Sequence, residues 1–177
     1  RELLVDKYTP TSIEHIIGHK DAIQQIATWL QSWTPKMPGL LITGPPGIGK
    51  TSMIHCIAKS IGYHITEYNA SDSRSISVLR GLISLGMKRL QKEVVIMDEI
   101  DGLSERGGVG EIADLIRKSL SPMICIANEC PPKLKPIVSA CTHIKCSRPV
   151  KSTIATAMVA IAKKENITIS KADIEKL

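Results

Sequence analysis

Between Gly44 and Thr51 the chain reads Gly44-Pro45-Pro46-Gly47-Ile48-Gly49-Lys50-Thr51, which fits the pattern G-x-x-x-x-G-K-[ST]. Such a loop needs glycines because backbone N–H groups must close around phosphate oxygens, and side chains at those points would hold them off. A helix beginning at its end adds free N–H groups and the positive end of its dipole. A lysine there can reach the β- and γ-phosphates and a hydroxyl can ligate Mg²⁺, which assigns those tasks to Lys50 and Thr51. The competing view is a Gly/Pro turn with a chance Lys-Thr pair; the apolar run before it and the helical pattern after it disfavour that view.

Two further stretches carry chemistry. Val94-Val95-Ile96-Met97-Asp98-Glu99 is an apolar strand ending in adjacent carboxylates. In a parallel α/β sheet the carboxyl ends of strands form the ligand rim, so Asp98 is expected to face the magnesium beside Thr51. Glu99 is then the group left to polarise an attacking water. Residues 122–127 form another apolar run ending at Asn128, whose amide offers both donor and acceptor to a water or to the γ-phosphate. Alone, an Asn after a strand is usually a turn residue; its order after the other two stretches favours the site.

The elements that must position these groups are legible as alternation. Short apolar runs at 40–43, 63–68, 94–97, 122–127 and 142–146 predict five strands, continuous in apolarity and hence covered on both faces. Helical stretches at 50–61, 73–91, 107–120 and 132–139 lie between them, which predicts a three-layer α/β fold with a mostly parallel sheet. Before these, Ile23, Ile26, Trp29 and Leu30 recur at helical spacing, and Pro35, Pro38 and Gly39 end that helix. After Pro149 a new helical pattern spans 151–164, with Asn166 as its expected cap. Ser170 and Asp173 then have the form of another helix start, so the chain is expected to be part of something longer.

Composition sets outer bounds. The 177 residues are 43% hydrophobic and 23% charged, which argues against disorder, collagen-like and heptad-repeat structure. With 23 Lys and Arg against 17 Asp and Glu the formal charge is +6, favouring anionic partners such as nucleotides or nucleic acid. No apolar run approaches the ~20 residues of a membrane span and no secretory signal pattern opens the chain, so an intracellular protein without a membrane partner is expected. Five cysteines are an odd number, which speaks for reduced thiols. Cys125, Cys130, Cys141 and Cys146 with His143 invite a zinc site, but Cys125 and Cys146 fall in predicted strands, where a thiol acts as a small apolar residue. The basic residues Arg74, Arg80, Lys88, Arg89 and Lys92, and Arg106 before a Gly-Gly pair, could meet DNA phosphates or simply form a solvated face.

Taken together, these stretches are similar to a known family. The matching residues are Val5-Asp6-Lys7-Tyr8-Thr9-Pro10 with Ile17-Gly18, the phosphate loop through Ser52, Tyr68-Asn69-Ala70-Ser71-Asp72-Ser73-Arg74-Ser75, the stretches 97–104 and 106–111, and Asn128. They resemble the clamp-loader ATPases of the AAA+ superfamily, and among these the large subunits of the replication factor C type. The resemblance implies an AAA+ nucleotide-binding domain over 1–149, with a sheet of order 5-1-4-3-2, followed at 150–177 by the start of a helical lid. It implies ATP and Mg²⁺ as ligands, with Val5, Tyr8, Ile16, Ile17 and Gly18 bordering the adenine. Pro45, Pro46, Gly47, Ile48, Gly49, Lys50, Thr51 and Ser52 surround the phosphates, Asp98 joins Thr51 on the metal, and Asn128 is sensor 1. The implied partners are small clamp-loader subunits in a hetero-pentamer, a sliding clamp and primer-template DNA, in the nucleus. Arg74, Arg80 and Arg106 are the implied DNA contacts.

Two departures from the family pattern matter: the sensor 2 arginine of the lid is expected beyond Leu177, and the finger arginine is missing. Small clamp-loader subunits carry Ser-Arg-Cys after the sensor strand, where this chain has Ser139-Ala140-Cys141. The resemblance therefore implies a subunit that receives an arginine finger and, alone, turns over ATP slowly. The alternatives at this level are the large subunit of a checkpoint-type loader, a scaffold that binds ATP without needing hydrolysis, and a small-molecule P-loop kinase.

Overall fold

The computed structural model describes residues 3–70, 72–84, 92–103 and 108–175. Five strands, β1 (Gly39–Thr43), β2 (His64–Asn69), β3 (Glu93–Asp98), β4 (Met123–Ala127) and β5 (Cys141–Lys145), form one sheet. Its order is β2-β3-β4-β1-β5 and every pairing is parallel. The expected order is thus observed, with parallel pairing throughout. The helices are α1 (Leu4–Lys7), α2 (Lys20–Ser32), α3 (Lys50–Ser60), α4 (Ser73–Ser84), α5 (Val109–Lys118), α6 (Lys135–Ala140), α7 (Lys151–Lys164) and α8 (Lys171–Glu175). The expected helix over 73–91 is seen as α4, its remaining residues 85–91 lying outside the described residues, as does Arg106.

Successive side chains along a strand point to opposite faces, and the central strands are apolar on both. Leu41, Val95, Met97, Cys125 and Ala127 pack under α4, α5 and α6. Their neighbours Leu40, Ile42, Val94, Ile96, Ile124 and Ile126 pack under α2 and α3. This is why β1, β3 and β4 read as unbroken apolar runs. The other two strands differ from the expectation of full burial. In β2 and β5 exposed and partly buried residues predominate, because both sit at sheet edges with a neighbour on one side only.

The C-terminal helices follow the sequence signals. Asn166 takes a left-handed φ of 57°, and the Ile167 N–H donates to Ala162 O at 2.8 Å, closing α7. The Asp173 N–H donates to Ser170 Oγ at 3.2 Å at the start of α8. No helix among the described residues is long and apolar enough to cross a membrane.

Candidate nucleotide site

The parallel order brings the carboxyl ends of β1, β3 and β4 side by side, and the site's groups follow from them: the glycine loop from β1, Asp98 and Glu99 from β3, and Asn128 from β4. Gly44 leaves β1 so close to β5 that a Cβ would stand 2.3 Å from the Cys146 carbonyl oxygen, so only glycine fits. Gly47 and Gly49 have φ of +74° and +85°, and a Cβ on either would point into open space. That pair leaves the inside of the loop clear for an anion at the start of α3, whose first turn holds no acidic residue.

Lys50 is buried, with 7% of its surface exposed, yet fully engaged. Its Nζ donates to Gly44 O at 2.7 Å, Pro45 O at 2.9 Å and Asn128 Oδ1 at 2.9 Å. Burial lowers its pKa below the ordinary lysine value, and the nearby Asp98, Cys146 and Asp101 oppose that shift. Thr51 Oγ1 donates to Asp98 Oδ2 at 2.9 Å, bringing a hydroxyl and a carboxylate together. Oxygen donors of this kind suit Mg²⁺, and Thr51 stands one residue past the lysine on the same helix turn while Asp98 ends β3. The residues present therefore fit a nucleotide with its metal.

Glu99 has a left-handed backbone, φ 57° and ψ 38°, unusual for a residue with a side chain. Its N–H donates to Asp98 Oδ1 at 2.7 Å. Its Oε2 accepts a hydrogen bond from Asn69 Nδ2 at 2.9 Å. Asn128 is steadied through its own N–H, which donates to Asp101 Oδ2 at 3.1 Å.

Three residues that hold this site together were not assigned to it from the sequence. Asn69 ends β2 in register with Asp98, so the order of strands places it there. Asp101 lies two residues past Glu99 in the short turn Ile100–Gly102. His19, also left-handed, meets the Ile48 carbonyl through Nε2 at 3.1 Å and braces the loop. Removing the Asn69 restraint should release Glu99. Asn69→Ala is expected to raise basal ATP turnover about fivefold, the scale of one hydrogen bond, in a steady-state phosphate-release assay. A fall would mean that Asn69 orients the carboxylate instead.

Beside the loop lies a cavity of about 1130 Å³. Tyr8, Ile16 and Ile17 line it together with Pro46, Gly47, Ile48, Gly49 and Ser52, and α7 contributes Ile154, Met158 and Ile161. Val5 belongs to the helical turn α1. Gly18 stands behind Pro149, a wall residue, where its absent Cβ would come within 3.1 Å of Pro149 Cγ. Arg74 and Arg80 both lie on α4: Asp72 Oδ1 accepts from Arg74 Nε at 3.4 Å, and Arg80 is paired with Glu111 of α5. As for zinc, no group of three or more ligating side chains occurs among the described residues. His143 Nε2 instead meets Thr43 Oγ1 at 2.8 Å, joining β5 to β1.

A parallel sheet of this order, with a glycine loop after β1, a hydrogen-bonded Thr51–Asp98 pair at the end of β3 and a carboxylate beside it, defines a P-loop ATPase domain. The profile of the ATPase family associated with various cellular activities (AAA) matches residues 40–144, and the chain belongs to that family. It is 34% identical to replication factor C subunit 1 of Schizosaccharomyces pombe over 99% of this chain and 23% of that protein. It is also 34% identical to the replication factor C large subunit of Archaeoglobus fulgidus, over 99% of this chain and 40% of that protein. The chain thus spans well under half the length of these curated relatives. In fold it is similar to the structure of the Thermotoga maritima RuvB Holliday junction branch migration motor, with a TM-score of 0.69 at 18% identity, covering 95% of this chain and 58% of that one.

Proposed function

We propose that this chain is the ATP-binding and ATP-hydrolysing domain of a clamp-loader large subunit. The observation that carries this reading is similarity to replication factor C large subunits along 99% of the chain, with every reactive position of the P-loop site filled. On this reading ATP lies with its phosphates in the loop 44–52 and its base against Tyr8, Ile16 and Ile17, with Val5 and Gly18 supporting that border. Lys50 leaves the loop carbonyls for the β- and γ-phosphates. Thr51 and Asp98 hold Mg²⁺, which when bound neutralises phosphate charge. Glu99 accepts a proton from the attacking water as its bond to Asn69 opens, and Asn128 presents its amide to the γ-phosphate or that water. Helices α7 and α8 open the lid domain that begins at residue 150.

By the resemblance, Ala140 falls where small subunits carry the finger arginine, so this subunit supplies no finger and on this reading its own site takes one from a neighbour. Arg74 and Arg80, with Arg106, face primer-template DNA, whose phosphates must displace Asp72 and Glu111 to engage the first two. The whole protein acts in the nucleus, with small subunits in a hetero-pentamer that loads a sliding clamp during replication and repair. The test is Mg·ATP turnover with and without small subunits, clamp and primed DNA. A rise of ~10³–10⁵-fold on assembly is expected if an arginine arrives in trans. Turnover that is already fast in the isolated protein would overturn the reading.

A further inference from the structure

The cavity beside the phosphate loop has two walls that are far apart in sequence, and one carboxylate outside it ties them together. Glu165 follows the last residue of α7 and lies 158 positions from Lys7. Lys7 Nζ donates to Glu165 Oε1 at 2.6 Å, and the Tyr8 hydroxyl donates to the same oxygen at 2.5 Å. Tyr8 and Lys7 line the cavity, as do Ile154, Met158, Ile161 and Lys164 on α7, whereas Glu165 does not.

The hold of α7 on the rest of the fold is otherwise slight. Of its residues only Ala155 is buried, and Ile154 and Met158 remain 38% and 44% exposed. A helix so thinly packed opens at low cost unless something pins its end. The pin is charge-assisted at both ends. The bond from Lys7, and after it that from Tyr8, holds the Glu165 carboxyl below the usual carboxylate range, and the Tyr8 phenol is pushed up by the same contact.

We infer that Glu165 is a positioning residue: by holding Lys7 and Tyr8 it keeps α7 closed over the cavity and slows nucleotide release. This rests on the nucleotide site proposed above. Glu165 does not itself line the cavity, so its effect passes through Tyr8 and Lys7, which do. Tyr8, held by its hydroxyl, keeps its ring against the cavity, and α7 keeps its apolar side over the opposite wall.

The experiment is release of a fluorescent N-methylanthraniloyl ATP from the full-length protein, chased by excess ATP, alongside its association rate. Wild-type protein that fails to bind the analogue would overturn the nucleotide site itself. Given binding, Glu165→Ala is expected to release the analogue about tenfold faster, the scale of a lost charge-assisted bond, with association little changed. Glu165→Gln keeps an acceptor for the Tyr8 hydroxyl and loses the ion pair, so its release should be intermediate. Adding Tyr8→Phe to Glu165→Ala should cause little further acceleration, because both changes break the same bond. Glu67→Gln, which removes a surface carboxylate paired with His55 at 2.8 Å, should release as wild type does. Wild-type release by Glu165→Ala, independent multiplication of the two effects, or equal acceleration by Glu67→Gln would each overturn the inference.

Discussion

Replacing Lys50 with alanine is expected to abolish measurable ATP binding, a loss of ~10²-fold or more if two charge-assisted phosphate bonds disappear together. The geometry argues for so large an effect. Lys50 is buried beneath the loop, and its three present partners are the carbonyls of Gly44 and Pro45 and the Asn128 amide oxygen. These weak, neutral acceptors hold the ammonium in place for an anion, and phosphate oxygens are stronger acceptors than any of them. Nothing else described in the loop supplies a positive side chain between residues 44 and 52. Isothermal titration with ATP reads the effect directly, and thermal unfolding adds a second reading. The parent protein should melt at a higher temperature with excess ATP, because a ligand bound only by the folded state stabilises it. Lys50→Ala should lose that rise. Retention of affinity within tenfold would remove Lys50 from the phosphates.

The second large effect is the opposite in kind. Glu99→Gln is expected to leave ATP affinity within about threefold and to cut turnover by ~10²–10⁴-fold, the range for loss of a general base. Glutamine keeps the size and shape of the side chain, and its amide oxygen can still accept from Asn69 Nδ2. It cannot take a proton. Lys50 and Thr51 have their bonds elsewhere, and Asp98 meets Glu99 only through the Glu99 backbone N–H, which the glutamine retains. The two substitutions therefore separate binding from chemistry within one site. The check is a titration for affinity followed by single-turnover hydrolysis at saturating ATP. Unchanged turnover would remove Glu99 as the base, whereas lost turnover with normal clamp loading by the assembled complex would support the alternative in which ATP serves assembly alone.

Much of this site is written locally. The loop 44–51 is legible because its glycines answer to a backbone requirement, and the observed positive φ at Gly47 and Gly49 and the tight approach at Gly44 are that requirement in the fold. Asp98 and Asn128 are legible because a buried parallel strand needs an unbroken apolar run, so its polar end stands out. The same rule misled at β2 and β5, where mixed apolarity marks an edge and not a buried strand.

What only the tertiary structure decided are the partners made across the sheet and across the cavity. Asn69 reaches Glu99 because β2 lies beside β3, and Lys7 and Tyr8 reach Glu165 because α7 folds back over the first residues of the chain. Amino-acid type and spacing express what the backbone demands within a few residues, such as a positive φ, a cap or a buried strand. A hydrogen bond between groups tens or hundreds of residues apart leaves no such local trace, since its geometry exists only once strand order and helix packing have brought the two groups together.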